Sequence, residues 1–376
     1  MTNSVSNSVI VGTHPTQLII SKDALIHNLT TYRDHLSNGT KIMAMIKAFG
    51  YGNGDVELAR IMEESGLVEY LGVAYVNEGI ALREDGISLP IMVMNPGIID
   101  LEDMVAFNIE PTVYTPEQLS QLIEMNPQDM SQVEVHVKID SGMHRLGFHH
   151  EEIKEAAQKL LDHNVKVVGV YTHLASSPEP ENDDYTHEQV AYFNKGYEML
   201  TEVLGYKPMR HILNSAGIVR FKEYQYEMVR AGMGIYGVEP SGVMQDKFKP
   251  IGSLVTEISQ INKLKKGDTV GYVRRGKIEK EEAEIAVLPL GYADGYNRLF
   301  SNGNAHVYVK GQRVPVVGNV CMDMIFIDVT GMNCKIGDKV ELFGENITVK
   351  ELAKAANTIE YEIFTSIGAR VERVYK

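Results

Sequence analysis

A lysine followed by alternating glycines is the first place where the sequence groups residues that can do chemistry. Lys47 ends the apolar run Ile42–Ile46, and Tyr51 lies among the three glycines that follow. An apolar run buried on both faces is typical of a parallel strand, and in parallel barrels the carboxyl ends of strands line the active-site mouth. We therefore expect an amine and a phenol to leave the same strand end. The alternative is a lysine that reaches solvent beside an ordinary turn.

A second polar group lies in the segment Lys138–Phe148. Strand alternation places His136, Lys138 and Asp140 on one face, which points into a barrel. Because a buried lysine cannot stay charged and unpaired, either Asp140 compensates Lys138 or the lysine has a special role. Arg145 follows the strand end, where a planar guanidinium suits two-point binding of a small carboxylate.

Three later segments also bring polar groups to strand ends. The apolar run Gly169–Ala175 delivers one imidazole, His173, which by itself is more often a structural residue. Segments 213–215 and 229–234 carry a hydroxyl and glycine-rich backbone. A hydroxyl and free N–H groups can cradle a phosphate at the last strands of a barrel, so we expect an anion site there.

The last third of the chain adds two candidate segments. Tyr292 lies between glycines in the turn 290–296, and the segment Val320–Met324 mixes apolar and polar residues. The alternative for the Tyr292 turn is a tight corner with a surface phenol, and the alternative for Val320–Met324 is an ordinary strand.

Short apolar runs alternate with helical patterns from about residue 16 to 240, which predicts a (β/α)8 barrel. The candidate strands are Ile42–Ile46, Tyr70–Val76, Ile91–Asn95, Pro111–Tyr114, Val133–Ile139, Lys166–Thr172, Met209–Leu213 and Met228–Val238.

After Glu239 the pattern changes to short alternating segments, which favours a mainly antiparallel β domain. Its candidate strands are Val255–Ile261, Glu284–Leu290, His306–Val309 and Ile325–Val329, and a helix is predicted at Val349–Ala356. The predicted organisation is a loose tail over residues 1–14, a barrel over 15–242 and a β domain over 243–376.

Composition narrows the class of protein. A net charge of −14 over 376 residues argues against nucleic acid or an anionic membrane as partner. The two cysteines, Cys321 and Cys334, lack the spacing of a zinc site or a disulfide framework, so no metal is expected. No basic leader or long apolar stretch is found, and a cytoplasmic protein is the prediction.

Taken together, these motifs resemble the alanine racemase family, whose cofactor-lysine signature, Lys-Ala-x-x-Tyr-Gly-x-Gly, matches Lys47–Gly54. The match runs from about Lys47 to Tyr375, with the motifs in the family's order. The resemblance implies a barrel that binds pyridoxal 5'-phosphate (PLP) and interconversion of L- and D-alanine for peptidoglycan synthesis.

The resemblance also implies a role for each polar group. Lys47 holds the cofactor, Arg145 contacts the substrate carboxylate, and Lys138, often carbamylated in the family, holds Arg145 in place. Arg230 contacts the pyridine nitrogen, which leaves the ring a poorer electron sink and discourages transamination. The other cofactor contacts are Tyr51, His173, Asn214, Ser215, Tyr361 and the backbone of Gly232 and Met233.

A racemase needs a proton donor or acceptor on each face of the reacting carbon. The resemblance assigns one face to Lys47 and the other to Tyr292 of a second subunit, with Met322 and Asp323 reaching the same site. It therefore implies a homodimer with shared active sites. Because a phenol is a weak acid, we expect His173, backed by Arg230, to favour its ionised form.

Four positions depart from the family pattern: Asn319, Gly271, Glu360 and Glu372. Glu360 adjoins Tyr361 and bears on the substrate entrance, so a broader racemase acting on serine or basic amino acids stays open. A fold-related decarboxylase would carry a glycine-rich phosphate loop and a catalytic Cys-Asp pair, which we do not find. Non-catalytic PLP carriers are lone barrels, and the β domain argues against that class.

Overall fold

The computed structural model describes residues 14–97, 101–124 and 133–376. They form two compact units, Ser21–Ile251 and Gly252–Lys376, the second joined by the described part of Met1–Ile20. Strand β1 (Gln17–Ile20) belongs to the second unit because it pairs with strands near both ends of Gly252–Lys376. The predicted boundaries, 14/15 and 242/243, differ from this division since a four-residue strand shows no clear periodicity. The predicted tail lies outside the described residues except for His14.

The first unit is a barrel of eight parallel strands. They are β2 (Lys41–Met45), β3 (Tyr70–Val73), β4 (Ile91–Val93), β5 (Glu110–Val113), β6 (Glu134–Lys138), β7 (Lys166–Tyr171), β8 (Met209–His211) and β9 (Met228–Ala231). The sheet order is β8-β7-β6-β5-β4-β3-β2-β9. The Arg230 N–H of β9 donates to Leu213 O just after β8 at 2.9 Å, which joins the two edges.

Helices cover the barrel between its strands. They are α1 (Lys22–His35), α2 (Lys47–Tyr51), α3 (Val56–Ser65), α4 (Val76–Glu84), α5 (Leu101–Ala106), α6 (Pro116–Glu124), α7 (His150–Asp162), α8 (Asp183–Leu204) and α9 (Ser215–Arg220). The barrel strands are buried on both faces, as apolar runs such as Ile42–Ala44 require. All eight predicted strands are found, but the predicted ranges Tyr70–Val76 and Met228–Val238 are too long, because the strands end at Val73 and Ala231 and helical turns follow. The predicted barrel is confirmed.

The second unit is mainly antiparallel. Its strands after β1 are β10 (Gly252–Glu257), β11 (Gln260–Lys265), β12 (Thr269–Val270), β13 (Gly276–Lys277), β14 (Glu282–Leu288), β15 (His306–Val309), β16 (Gln312–Pro315), β17 (Ile325–Asp328), β18 (Lys339–Phe343) and β19 (Glu372–Tyr375). Two helices, α10 (Val349–Ala355) and α11 (Glu360–Thr365), precede β19. The larger sheet has the order β16-β15-β18-β10-β1-β19, and a three-stranded sheet has the order β11-β14-β17. The predicted mainly antiparallel domain is confirmed.

One predicted strand in this unit is wrong. The segment Val255–Ile261 is two strands, because the chain changes sheets within it. The Ile258 N–H donates to Asp338 O at 3.0 Å, whereas the Ser259 N–H donates to Val287 O at 2.9 Å. An apolar alternation that continues through such a crossing gives no signal of it in the sequence.

Among the helices in the described ranges, none combines the length and the apolar character that a membrane crossing needs.

Candidate active site

The turn after β2 is left-handed. Ala48, Phe49, Gly50 and Tyr51 have φ values of 54, 55, 59 and 52°. Residues other than glycine avoid this region because Cβ approaches the carbonyl oxygen, at a cost of about 1–2 kcal/mol each. The Glu78 carboxylate holds the turn, since its Oε1 accepts the Ala48 N–H at 2.7 Å. The turn therefore fixes where Lys47 leaves the strand.

Lys47 lies among other cations at the carboxyl end of β2. Burial lowers the pKa of its ammonium group, and the Arg145 guanidinium lowers it next. The Glu78 carboxylate raises the pKa of Lys47, whereas the Arg230 guanidinium lowers it further. The amine of Lys47 is therefore unprotonated more often at neutral pH than that of an ordinary lysine, which makes it a better base and nucleophile.

Lys138 points into the barrel at the end of β6 and is buried. Burial, followed by the charges of Arg145 and Arg230, lowers the pKa of Lys138 to about 8. Its Nζ lies 5.5 Å from the centre of the Tyr171 ring. Asp140 makes other hydrogen bonds, accepting the N–H groups of Gly142 and His144 at 3.0 Å each. Compensation of Lys138 by a direct ion pair with Asp140 is thus not the arrangement observed.

Arg145 lies in the exposed loop after β6. Tyr185 pins this loop by donating its hydroxyl to Gly142 O at 2.7 Å. Gly142 has a φ of 131°, and a Cβ there would meet the Tyr185 hydroxyl at 2.4 Å, so only glycine fits. The loop carries Arg145 close enough to Lys47 and Lys138 to lower the pKa of both.

Arg230 is buried inside the barrel at 2% exposure. Its Nη2 donates to Thr172 O at 2.7 Å and to Ile212 O at 3.2 Å, and its Nη1 donates to His211 O. Burial lowers the pKa of Arg230 to about 10, so the group stays cationic at neutral pH. Its Nη2 also lies 3.5 Å from His173 Nδ1. Burial and then Arg230 lower the pKa of His173 well below its usual value, so this imidazole is neutral.

A small cradle forms where α9 and the segment after β9 meet. Ser215 Oγ accepts the Gly232 N–H at 2.8 Å, and Asn214 caps α9 by accepting the Gly217 N–H at 3.0 Å. A Cβ on Gly232 would lie 3.1 Å from the Tyr51 hydroxyl and 3.6 Å from Ser215 Oγ. Met233 begins the 3-10 turn that follows. The hydroxyl groups of Tyr51 and Ser215 and the backbone N–H of Gly232 thus lie around the space that a side chain at Gly232 would fill.

The second unit brings Tyr292 beside Met322. The Tyr292 N–H donates to Cys321 O at 3.0 Å, and the Ala293 N–H donates to Met322 O at 3.1 Å. The side chains of Tyr292 and Met322 are 42% and 53% exposed. Gly291 permits this approach, since a Cβ there would lie 2.3 Å from Met322 O.

Buried Asp294 holds the Tyr292 turn in shape. Its Oδ2 accepts the Gly291 N–H at 2.7 Å, and Arg370 donates to its two oxygens at 2.6 and 3.0 Å. Arg370 also donates to Asp323 at 2.7 Å, which links the two candidate segments. Tyr361 lies in α11, and the chain after this helix contacts the same turn, because the Gly368 N–H donates to Asp294 O at 3.1 Å.

The predicted site residues therefore form two groups. Lys47, Tyr51, Lys138, Arg145, His173, Asn214, Ser215, Arg230, Gly232 and Met233 belong to the barrel unit, and Tyr292, Met322, Asp323 and Tyr361 to the β unit. Sequence reasoning missed Glu78, His211, Asp294 and Arg370. Asp294 lies within the turn 290–296, and an aspartate directly before a glycine, a pair typical of turns in which the carboxylate accepts backbone N–H groups, is a signal that could have found it.

Known proteins resemble this chain over both units. The family model described as "Alanine racemase, N-terminal domain" matches residues 20–240, and "Alanine racemase, C-terminal domain" matches 251–375. An alanine racemase of Thermodesulfovibrio yellowstonii is 40% identical over 370 residues, which cover 96% of this chain and 97% of that protein.

Two solved structures extend the comparison. Alanine racemase from Bacillus anthracis with bound L-Ala-P is 32% identical, with a TM-score of 0.90 and coverage of 97% and 96%. The enzyme from Bartonella henselae with covalently bound pyridoxal phosphate is 25% identical, with a TM-score of 0.86 and coverage of 96% and 100%. The chain belongs to the alanine racemase family.

Proposed function

We propose that this protein is a PLP-dependent alanine racemase that interconverts L- and D-alanine and supplies D-alanine for peptidoglycan. The observation that carries the proposal is Lys47, an amine with a lowered pKa at a barrel strand end, beside the guanidinium groups of Arg145 and Arg230. The names of the relatives support the reaction, and the B. henselae structure supports the cofactor.

The residues of the barrel unit fit PLP. The position of Gly232, beside the hydroxyls of Tyr51 and Ser215, suits a phosphate group, and the backbone of Met233 and the cap residue Asn214 adjoin it. The Arg230 guanidinium suits a ring nitrogen that accepts a hydrogen bond. Lys47 suits the aldehyde carbon.

When bound, PLP supplies an electron sink that acidifies the α-proton of an attached amino acid. Lys47 accepts that proton at its Nζ on one face of the α-carbon and returns it in the reverse direction. Arg145 binds the substrate carboxylate through its planar fork. Tyr292 of a second copy holds the proton at its phenolic oxygen on the opposite face, so each direction of the reaction has a base and an acid.

His173 is the residue we assign to supporting the ionised phenol. Because an arginine can only donate, the contact of Arg230 with Nδ1 leaves the proton of the neutral imidazole on Nε2. Nε2–H is then a donor for a phenolate oxygen. The buried cation of Arg230 keeps the acceptor role of Nδ1 fixed.

Lys138 is proposed to carry a carbamate. A neutral amine attacks CO2 to give a carbamate anion and releases one proton, and the pKa of about 8 supplies that neutral amine. The resulting anion would offset the cations that surround Lys138 and would hold the guanidinium of Arg145.

We also propose that the protein works as a cytoplasmic homodimer with shared active sites. Tyr272, Met322, Asp323 and Met324 line a surface depression of about 500 Å³, and exposed apolar side chains grouped in this way fit a protein interface. Met322 and Asp323 would thus reach a second copy's substrate. The free cysteines Cys321 and Cys334 are compatible with a reducing compartment.

A single assay tests the reaction and its breadth. Purified protein is incubated with PLP and a panel of L-amino acids, and the enantiomers are resolved by chromatography. We expect D-alanine from L-alanine and slower turnover of serine and basic amino acids, with no product from Lys47→Ala. Absence of D-alanine formation by the wild-type holoenzyme would overturn the proposal, and equal rates across the panel would favour the broader racemase.

A further inference from the structure

A row of buried polar side chains continues from Arg230 through the interior of the barrel. Arg230 Nη1 lies 3.2 Å from His211 Nδ1, His211 Nε2 lies 3.0 Å from His136 Nδ1, and His136 Nε2 lies 2.7 Å from Glu110 Oε2. The four residues come from strands β9, β8, β6 and β5. Both histidines are fully buried, and Glu110 is 6% exposed.

The two ends of the row fix the direction of every hydrogen bond between them. An arginine can only donate and an ionised carboxylate can only accept. His136 therefore donates Nε2–H to Glu110, which makes its Nδ1 an acceptor for the Nε2–H of His211. The Nδ1 of His211 in turn accepts from Arg230. Both imidazoles are then neutral Nε2–H tautomers, and burial lowers the pKa of His211 well below its usual value.

The fold makes room for this row. A Cβ on Gly169 would lie 2.2 Å from His136 Nδ1 and 3.0 Å from His211 Nε2, so a side chain there would separate the two rings. Tyr171 stacks on His211 at 4.9 Å, which fixes the plane of that ring. The row is thus part of the packed interior rather than a chance approach of mobile side chains.

The row also joins opposite charges. No carboxylate among the described residues forms an ion pair with Arg230, whose direct partners are carbonyl oxygens and the nitrogens of His173 and His211. Glu110 raises the pKa of Arg83 by its charge, but four of the five N–H groups of Arg83 donate to the carbonyl oxygens of Phe107, Ile87, Leu89 and Asn108. The only side-chain hydrogen bonds of Glu110 that the described residues supply come from His136 and from Tyr70, at 3.5 Å.

We propose that Glu110, with His136 and His211, orients the guanidinium of Arg230 through two neutral imidazoles. Glu110 and His136 are positioning residues, since neither touches the reacting atoms. The inference rests on the proposed function in one respect, namely that Arg230 faces the cofactor's ring nitrogen. With the row intact, a fixed cation at that nitrogen disfavours its protonation. The row thereby favours racemisation over transamination.

The test compares Glu110→Leu, which removes the acceptor at the end of the row, with Glu134→Leu. Glu134 lies nearby on β6 and pairs with Lys166 at the surface, so it controls for loss of a carboxylate outside the row. Each protein is loaded with PLP labelled with 15N in the ring, and the 15N NMR signal reports whether the ring nitrogen is protonated. The second readout is the ratio of transamination, in which alanine and PLP give pyruvate and pyridoxamine phosphate, to racemisation.

Glu110→Leu breaks the row and is expected to shift the ring-nitrogen signal toward the protonated form and to raise the transamination ratio about tenfold, while Glu134→Leu matches wild type. Identical behaviour of the two variants in a racemising enzyme overturns the inference and leaves the proposed function intact. Absence of racemisation by wild type would instead refute the proposed function.

A third measurement needs no variant, cofactor or activity. In 15N-histidine-labelled protein without PLP at neutral pH, the row requires two neutral Nε2–H imidazoles in contact with each other. Nδ1–H tautomers or a protonated imidazole at His136 or His211 would overturn the inference even if Glu110→Leu failed to fold.

Discussion

The barrel mouth concentrates positive charge in a chain that is acidic as a whole. Lys47, Arg145 and Arg230 each lower the pKa of Lys138, although the net charge of the protein is −14. Cations held this close repel one another, and an anionic ligand or a carbamate relieves that repulsion. The local field therefore selects small molecules that carry phosphate or carboxylate groups, whereas the overall charge repels polyanions.

The Lys138 ammonium should make stability depend on pH. Its folded-state pKa of about 8 lies below the usual lysine value of 10.5, so the unfolded chain binds this proton more tightly. The folded state thus bears a penalty below about pH 8 that is relieved as the pH rises toward 10.5, by about 3 kcal/mol in all. In CO2-free buffer, the unfolding free energy of wild type, measured by urea titration, should rise by this amount relative to that of Lys138→Met as the pH rises from about 8 toward 10.5. A parallel pH dependence of the two proteins would contradict the lowered pKa.

Tyr292→Phe tests the assignment of the second base. The variant should keep the absorbance of bound PLP, because Lys47 is intact, and should lose racemisation by about a hundredfold or more. D-alanine should still exchange its α-proton with solvent through Lys47, as measured by NMR in deuterated water. Tyr308→Phe removes a phenol from strand β15 of the same unit and serves as the control. Normal racemisation by Tyr292→Phe would refute the assignment.

At the scale of elements, the left-handed turn after Lys47 stores strain. Ala48 is exposed with a φ of 54°, so Ala48→Gly relieves a Cβ clash while adding freedom to the unfolded chain. We expect a net gain of about 0.5–1 kcal/mol in unfolding free energy from urea titration. The matched control, Ala191→Gly in the exposed middle of α8, should lose about 1 kcal/mol. A loss of stability in both variants would show that the turn is not strained.

The turn that carries Tyr292 depends on an ion pair between the buried Asp294 and the partly exposed Arg370. Asp294→Asn removes the charge that Arg370 binds and should cost about 2 kcal/mol of stability in thermal unfolding. Asp323→Asn removes the exposed partner of the same arginine and should cost less than about 1 kcal/mol. Equal losses would mean that Asp294 does not hold the turn through its charge.

Sequence patterns predicted the elements better than the contacts between distant residues. The eight barrel strands follow from apolar runs, because burial on both faces leaves a strong signal. The positive φ angles of Ala48 and Phe49 could not be predicted from the sequence, because these residue types rarely adopt them. The Glu78 carboxylate that holds the turn lies 30 residues further along the chain. Likewise, His136 was predicted to face the barrel interior, but its partners Glu110 and His211 come from two other strands, so only the register of the closed sheet brings them together.

At the scale of the whole molecule, the proposed chemistry needs more than one chain. Tyr292 and Met322 are exposed side chains of the β unit, and a phenol open to solvent has no environment that would make it an efficient base. Exposed apolar and aromatic side chains grouped at one surface are typical of interfaces in symmetric dimers. A second copy would cover them and bring Tyr292 into a dry site, which is the condition that proton transfer on the second face requires.

Mixing two inactive variants tests this shared site directly. If Lys47 of one subunit works with Tyr292 of the other, a dimer of Lys47→Ala and Tyr292→Phe chains has one site with both residues intact and one with neither. Random co-assembly makes half of the dimers mixed, so co-expression should restore about a quarter of wild-type racemase activity. Separately purified variants, mixed without exchange of subunits, are the control and should stay inactive. If both residues acted within one chain, co-assembly would restore nothing, because every chain lacks one of them.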